Sequence, residues 1–242
     1  MNLADNRTSI TDAVDAGLLA GAVTLVWHRG AVVQVNEIGF SDIEANRPMK
    51  RDTIFRVASM TKPVTVAAAM TLIEEGALSL SDPVSRWLPE LADMRVLADP
   101  DGPLDRTVPA HRPITIDDLM THRSGLAYAF SVQGPIGRAY ATVSLRQDQD
   151  HWLAEVAGLP LVHQPGERLT YSQSTEVLGI VLSRIAGKPL QTVLSERILQ
   201  PLGMSDTGFF ISPDKRPRAA TMYRLDPQHG LQHDAMGPVP VK

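Results

Sequence analysis

A serine hydroxyl and a lysine amine three residues apart, Ser59 and Lys62 in VASMTKPVTV, are the residues of this chain best spaced for chemistry. On a helix such a pair lies one turn apart on one face. A hydroxyl is a poor nucleophile until a base takes its proton. Lysine serves as that base only where burial or a neighbouring cation lowers its affinity for the proton. The flanking Phe55, Val57, Ala58, Met60 and Val64 are apolar, as such burial requires. The alternative is a serine at a helix N-terminus followed by a surface lysine. Spacing does not decide between them, because Ser212 and Lys215 repeat it with Pro213 and Asp214 inside a turn.

Context separates the two matches. Pro63 lacks an N–H and clashes with a preceding helical turn, so the helix through Ala67 to Glu75 must begin close to Ser59. That position offers free backbone N–H groups and the positive end of the helix dipole to an oxyanion. A serine–lysine pair also needs a proton route to the leaving group. Tyr171 is the candidate: it follows the Pro165-Gly166 turn and precedes the helix that starts beyond Ser172-Gln173-Ser174. A half-buried tyrosine with its hydroxyl in water is the competing reading.

Several elements must position these groups. A helix is expected over Ser9 to Leu19, then a β-hairpin in GAVTLVWHRGAVVQVNEIGF turning at Arg29-Gly30. Val64 to Glu75 reads as a helix stopped by Gly76, and Leu97 to Pro113, rich in proline and aspartate, as an excursion over the surface. ITIDDLMTHRSGL reads as a short helix entering a glycine turn. Further helices are expected over Gln147 to Ala157, Val177 to Ala186 and Leu190 to Leu199. Helices dominating the middle, with a sheet element in front, predict an α+β fold.

Composition narrows the function. The 242 residues carry a formal charge of -4 and no lysine or arginine run, which gives no footprint for nucleic acid or an anionic membrane. Without cysteine there is no thiolate metal site or cysteine nucleophile. No His-Glu-x-x-His or Gly-x-Gly occurs, so no metal and no cofactor is expected. The seven histidines form no local pattern, and no Gly-x-Ser-x-Gly elbow supports a Ser-His-Asp arrangement. Asp5, Asp12 and Asp15 stand where a signal peptide would be basic and then apolar, so a soluble, cytoplasmic protein is expected.

Four ordered blocks resemble the serine β-lactamase and penicillin-binding-protein superfamily. They are FRVASMTKPVTVAAAMTLIEEGALSLSDPVSRWLPE, PITIDDLMTHRSGL, HQPGERLTYSQSTEVLGIVLSRIAG and ILQPLGMSDTGF. More narrowly, they are similar to the family VIII carboxylesterases and related acyltransferases on the class C β-lactamase fold. The resemblance implies an antiparallel sheet with flanking helices, a mainly helical domain, and an active site between them. It divides the chain into residues 1–60, which begin the α/β domain, 61–210, which form the helical domain, and 211–242, which start the return to the sheet. The rest of the α/β domain is expected beyond this sequence.

By the same resemblance Ser59 is the acylated nucleophile, Lys62 its proton acceptor and Tyr171 the second base. The implied substrate is a short-chain carboxylic ester; the alternatives are a β-lactamase, D,D-peptidase or acyltransferase on the same fold, or a non-catalytic binding or sensor domain. Tyr128, Phe130, Tyr140 and Trp152 fall where the family roofs its cleft, and Tyr128 and Trp152 are candidate walls of an acyl pocket, with core packing the alternative. Two departures stand out. Where β-lactamases carry Tyr-x-Asn, this chain has Tyr171-Ser172-Gln173. The extra methylene of Gln173 displaces donors that would grip a substrate amide, which favours esters. No Lys-Thr-Gly or Trp-Gly-Gly occurs, and His28-Arg29-Gly30 and His229-Gly230 read as hairpin turns.

Overall fold

The computed structural model describes residues 4–144 and 148–234. The chain forms two compact units, Met1–Ala58 with Asp206–Lys242, and Ser59–Ser205.

The first unit opens with α1 (Ala4–Asp15), which ends four residues before the expected Leu19 because the chain turns at Gly17, φ +68°. Strands β1 (Gly21–His28) and β2 (Ala31–Asp42) form the antiparallel hairpin. Arg29 and Gly30 both have positive φ, 48° and 84°, the backbone of the tight turn whose twist suits a hairpin. A short β3 (Arg47–Pro48) pairs with β2, giving the order β1-β2-β3 with β1 on the edge among the described residues. Ile38 and Met49 are buried, whereas Leu25 and Trp27 on β1 stay open and Trp27 is 63% exposed.

The second unit carries the hydrophobic core. Its first element is α2 (Thr61–Glu74), led in by a 3-10 turn over Ala58–Met60. Pro63 is the third residue of α2, where its missing N–H breaks no helical bond. Strands β4 (Arg95–Leu97) and β5 (Thr107–Pro109) form an antiparallel ribbon in what was expected to be a surface excursion. Val96 pairs with Val108 and bridges Leu161, so the ribbon is anchored by packing that its prolines and aspartates concealed.

Helix α3 (Ile116–Met120) starts on a capping box between Thr115 and Asp118. Asp118 is 1% exposed and grips Arg112 through bonds of 2.5 and 2.9 Å. Burial works against its charge, but Arg112 and Thr115 outweigh it and hold the carboxyl below the usual range. Next come α4 (Gly134–Thr142), α5 (Gln149–Ala157) capped by Asp148, and α6 (Ser174–Ala186). The expected first residue of α5, Gln147, lies outside the described residues.

Helix α6 buries Val177, Leu178, Ile180, Val181 and Leu182 against α2, α3 and α7 (Leu190–Leu194), then stops at Gly187, φ +61°. Each such side chain contributes about 1.5–3 kcal/mol. Gly179 admits this packing, since a Cβ there would lie 2.7 Å from Leu190 Cδ2. The expected helix to Leu199 widens to π-helical geometry over Ser195–Leu199. The chain then re-enters the first unit and forms the hairpin of β6 (Tyr223–Asp226) and β7 (Gly230–His233), which turns over residues 227–229 and closes on the Asp226–Gly230 pair, one residue earlier than the expected His229-Gly230. Among the described residues no single helix is long and apolar enough to cross a membrane.

Candidate active site

Ser59 is exposed at the entry to α2, and the residue before it, Ala58, has φ +42°. A non-glycine residue held in that region costs about 1–3 kcal/mol and marks a backbone fixed by its surroundings. No side chain caps α2, and the 3-10 turn over Ala58–Met60 leads directly into it.

Lys62 points from the first turn of α2 into a nest of aromatic rings, with its side chain only 14% exposed. Its Nζ donates to the Tyr128 hydroxyl at 2.8 Å and to Glu176 Oε1 at 3.2 Å. It also lies 5.2 Å from the ring centroids of both Tyr128 and Tyr171. Tyr128 in turn donates a short hydrogen bond to Glu176. Burial first, then the bond and charge of Glu176, push the Tyr128 phenol well above the ordinary tyrosine range.

Tyr171 sits on the short segment ahead of α6, and His122 organises that segment. Thr170 N–H donates to the His122 carbonyl at 2.9 Å, and Ser172 N–H donates to His122 Nδ1 at 3.3 Å. An amide can only donate, so Nδ1 accepts and the neutral ring carries its proton on Nε2. Burial and then the Lys62 charge hold His122 below the ordinary histidine value, with Glu176 opposing. Beneath Tyr171 the buried hydroxyls of Ser172, Ser174 and Ser124 continue the chain at 2.7 Å each. The Tyr171 ring packs 4.8 Å from His122, 5.5 Å from Tyr128 and 6.2 Å from Phe130.

The structure therefore brings Lys62, Tyr128 and Tyr171 together, and Ser59 stands three residues before Lys62, in the 3-10 turn that leads into α2. Two other candidates are buried. Trp152 is 7% exposed within the core beside Leu153 and Val156, so core packing describes its placement. Gln173 is 4% exposed, and its Oε1 has no hydrogen-bond partner among the described residues. Sequence reading missed Glu176 and His122. Glu176 looked like an ordinary acid in a first helical turn, and His122 stood in THRSGL without a local partner. The structure gives His122 one oddity that its sequence does not show, φ +57° in a non-glycine residue. Among the described residues no His, Asp and Glu side chains form a group able to hold a metal ion.

Comparison with known proteins finds relatives over nearly the whole chain. A beta-lactamase family model matches residues 7–242. Protein Rv1367c of Mycobacterium tuberculosis is 61% identical over 98% of this chain and 59% of its own length. Esterase EstB of Burkholderia gladioli is 40% identical over 82% of this chain and 49% of its own. Among solved structures, EstCE1, described as a hydrolase with promiscuous acyltransferase activity, superposes with a TM-score of 0.78 at 31% identity. That match covers 98% of this chain and 67% of EstCE1. The chain thus spans roughly half to two thirds of these relatives.

Proposed function

Because the chain belongs to the beta-lactamase family, whose hydrolases include esterases, we propose that Ser59 is acylated by small carboxylic esters with Lys62 and Tyr171 moving the protons. The observation that carries this reading is the environment of Lys62. Its amine is nearly buried and spends two hydrogen bonds on Tyr128 and Glu176. Counting Cε, one valence of Nζ remains for Ser59.

The steps follow from that count. Ser59 Oγ bonds to the ester carbonyl carbon as its proton passes to Lys62. The carbonyl π electrons move onto oxygen, where the Ser59 amide at the helix entry meets the charge. Collapse breaks the bond to the alcohol oxygen, and that alkoxide takes the proton through Tyr171. Water then attacks the acyl-enzyme with Tyr171 as base, releasing the acid and restoring Ser59. The burial of Gln173 supports esters over β-lactams, because its amide is withdrawn from the open face.

The test compares turnover of p-nitrophenyl butyrate and a chromogenic cephalosporin. Ester turnover together with fluorophosphonate labelling of Ser59, lost in Ser59→Ala, is expected. Turnover of the cephalosporin alone, or labelling that persists in Ser59→Ala, overturns the reading. A second reading replaces water by an alcohol acceptor. The exposure of Ser59 favours it, as does the acyltransferase activity named for EstCE1. Transester formation in ~10% methanol that outpaces acid release would support it.

A further inference from the structure

We propose that Glu176 is a positioning residue for this reaction, which closes a hydrogen-bonded ring with Tyr128 and Lys62 and so holds the Lys62 amine with one valence directed to Ser59. The inference rests on the reading of Ser59 and Lys62 above. Its ground is a single oxygen, Glu176 Oε1, that accepts from both Lys62 Nζ and the Tyr128 hydroxyl. The Tyr128 oxygen in turn accepts from Lys62. Three groups from three separate segments thus make three mutual bonds. These are α2, the loop after α3, and the first turn of α6, and the ring spans 114 residues of sequence between Lys62 and Glu176.

A free lysine side chain samples many rotamers, and fixing one costs about 2 kcal/mol. A single hydrogen bond leaves the amine able to swing, whereas two partners at different azimuths leave it one orientation. The direction of each bond is also set. Glu176 can only accept, so Tyr128 must donate to it, and the Tyr128 lone pair is left facing Lys62. Burial and the Glu176 carboxylate keep the Tyr128 phenol protonated, which preserves this sense of donation across the working pH range. The titratable and charged groups around the amine are Glu176 from α6, Tyr128 and His122 from the turns after α3, and Tyr171 from the segment before α6. Glu176 is the anion among them. An acid in a first helical turn also favours the α6 dipole, which would be a purely structural role.

Two isosteric variants separate these roles. Glu176→Gln keeps the volume and removes the charge, and Tyr128→Phe opens the ring at another corner. The first measurement needs no catalysis: acetylation of Lys62 by N-hydroxysuccinimidyl acetate at pH 8, followed by peptide mass spectrometry. Lys62 acetylation should rise at least five-fold in both variants, while Lys188, bonded to Glu196, stays at its parent rate. The second is p-nitrophenyl butyrate kinetics, in which kcat should fall at least ten-fold with KM within two-fold. Its pH profile should also move relative to the parent. Unchanged Lys62 acetylation overturns the proposal, as does a kcat loss no larger than the loss of folded protein by thermal melt. If the parent itself turns over no ester, the reading of Ser59 falls while the acetylation result still decides the ring.

Discussion

His122 Nδ1 receives the backbone N–H of Ser172 at 3.3 Å, which ties the residue following Tyr171 to the end of the α3 turn. The bond spans 50 residues and turns a flexible segment ahead of α6 into a fixed mount for the phenol. His122→Asn tests it. Asparagine tolerates the positive φ at this position but is too short to reach Ser172. A drop of roughly ten-fold in kcat with little change in KM is expected in ester kinetics, alongside a melting temperature within a few degrees of the parent.

Removing the proposed proton acceptor should cost more. Lys62→Ala is expected to slow acylation by about two orders of magnitude or more, the usual scale for a lost general base. Stopped-flow release of p-nitrophenol reads this directly, and an acylation rate equal to the parent's would strip Lys62 of the role.

Trp152 separates packing from catalysis. Trp152→Ala should destabilise the fold by about 3–5 kcal/mol, because it empties a large core volume. Equilibrium urea unfolding measures the loss. The KM of the residual folded enzyme should stay at the parent value, as fits a side chain packed beside Leu153 and Val156.

Gly125 is fixed by two constraints at once. Its φ is +86°, and a Cβ there would lie 2.4 Å from the His163 carbonyl oxygen. Gly125→Ala is therefore expected to cost about 2 kcal/mol or more, read as a lowered denaturation midpoint.

Stability should also respond to acid. Burial holds both His122 and His163 below the ordinary histidine value, and His163 bonds through Nδ1 to the Gln164 carbonyl and through Nε2 to Thr170 Oγ1. A depressed value means the unfolded chain binds the proton first as pH falls. The contribution of these rings is thus complete above about pH 6.5 and is lost below it, down through their folded values. Unfolding free energies between pH 7.5 and 5 should slope downward, and His163→Gln should flatten the slope.

How much of this was legible in the sequence depended on how local each cause is. Pro63 limits where α2 begins, so the placement of Ser59 and Lys62 followed from adjacent residues. The hairpin at Arg29-Gly30 and the stop at Gly187 were readable for the same reason, since turn chemistry acts within a few positions. Glu176 and His122 were not readable, because each gains its role from partners 114 and 50 residues away. The ribbon over Arg95–Leu97 and Thr107–Pro109 escaped notice in a similar way: its anchor, Leu161, comes much later in the chain. Trp152 was ambiguous by nature, since an aromatic residue at helical spacing suits a core as well as a pocket wall.

The first strand carries a practical liability. Among the described residues β1 pairs only with β2, and with Leu25 and Trp27 exposed its other row of main-chain donors and acceptors can recruit an extended peptide wherever nothing else covers it. Concentrated solutions of the isolated polypeptide should drift toward fibrous or amorphous precipitate. A lysine in place of Trp27 would keep such preparations clear while leaving the chemistry at Ser59 untouched.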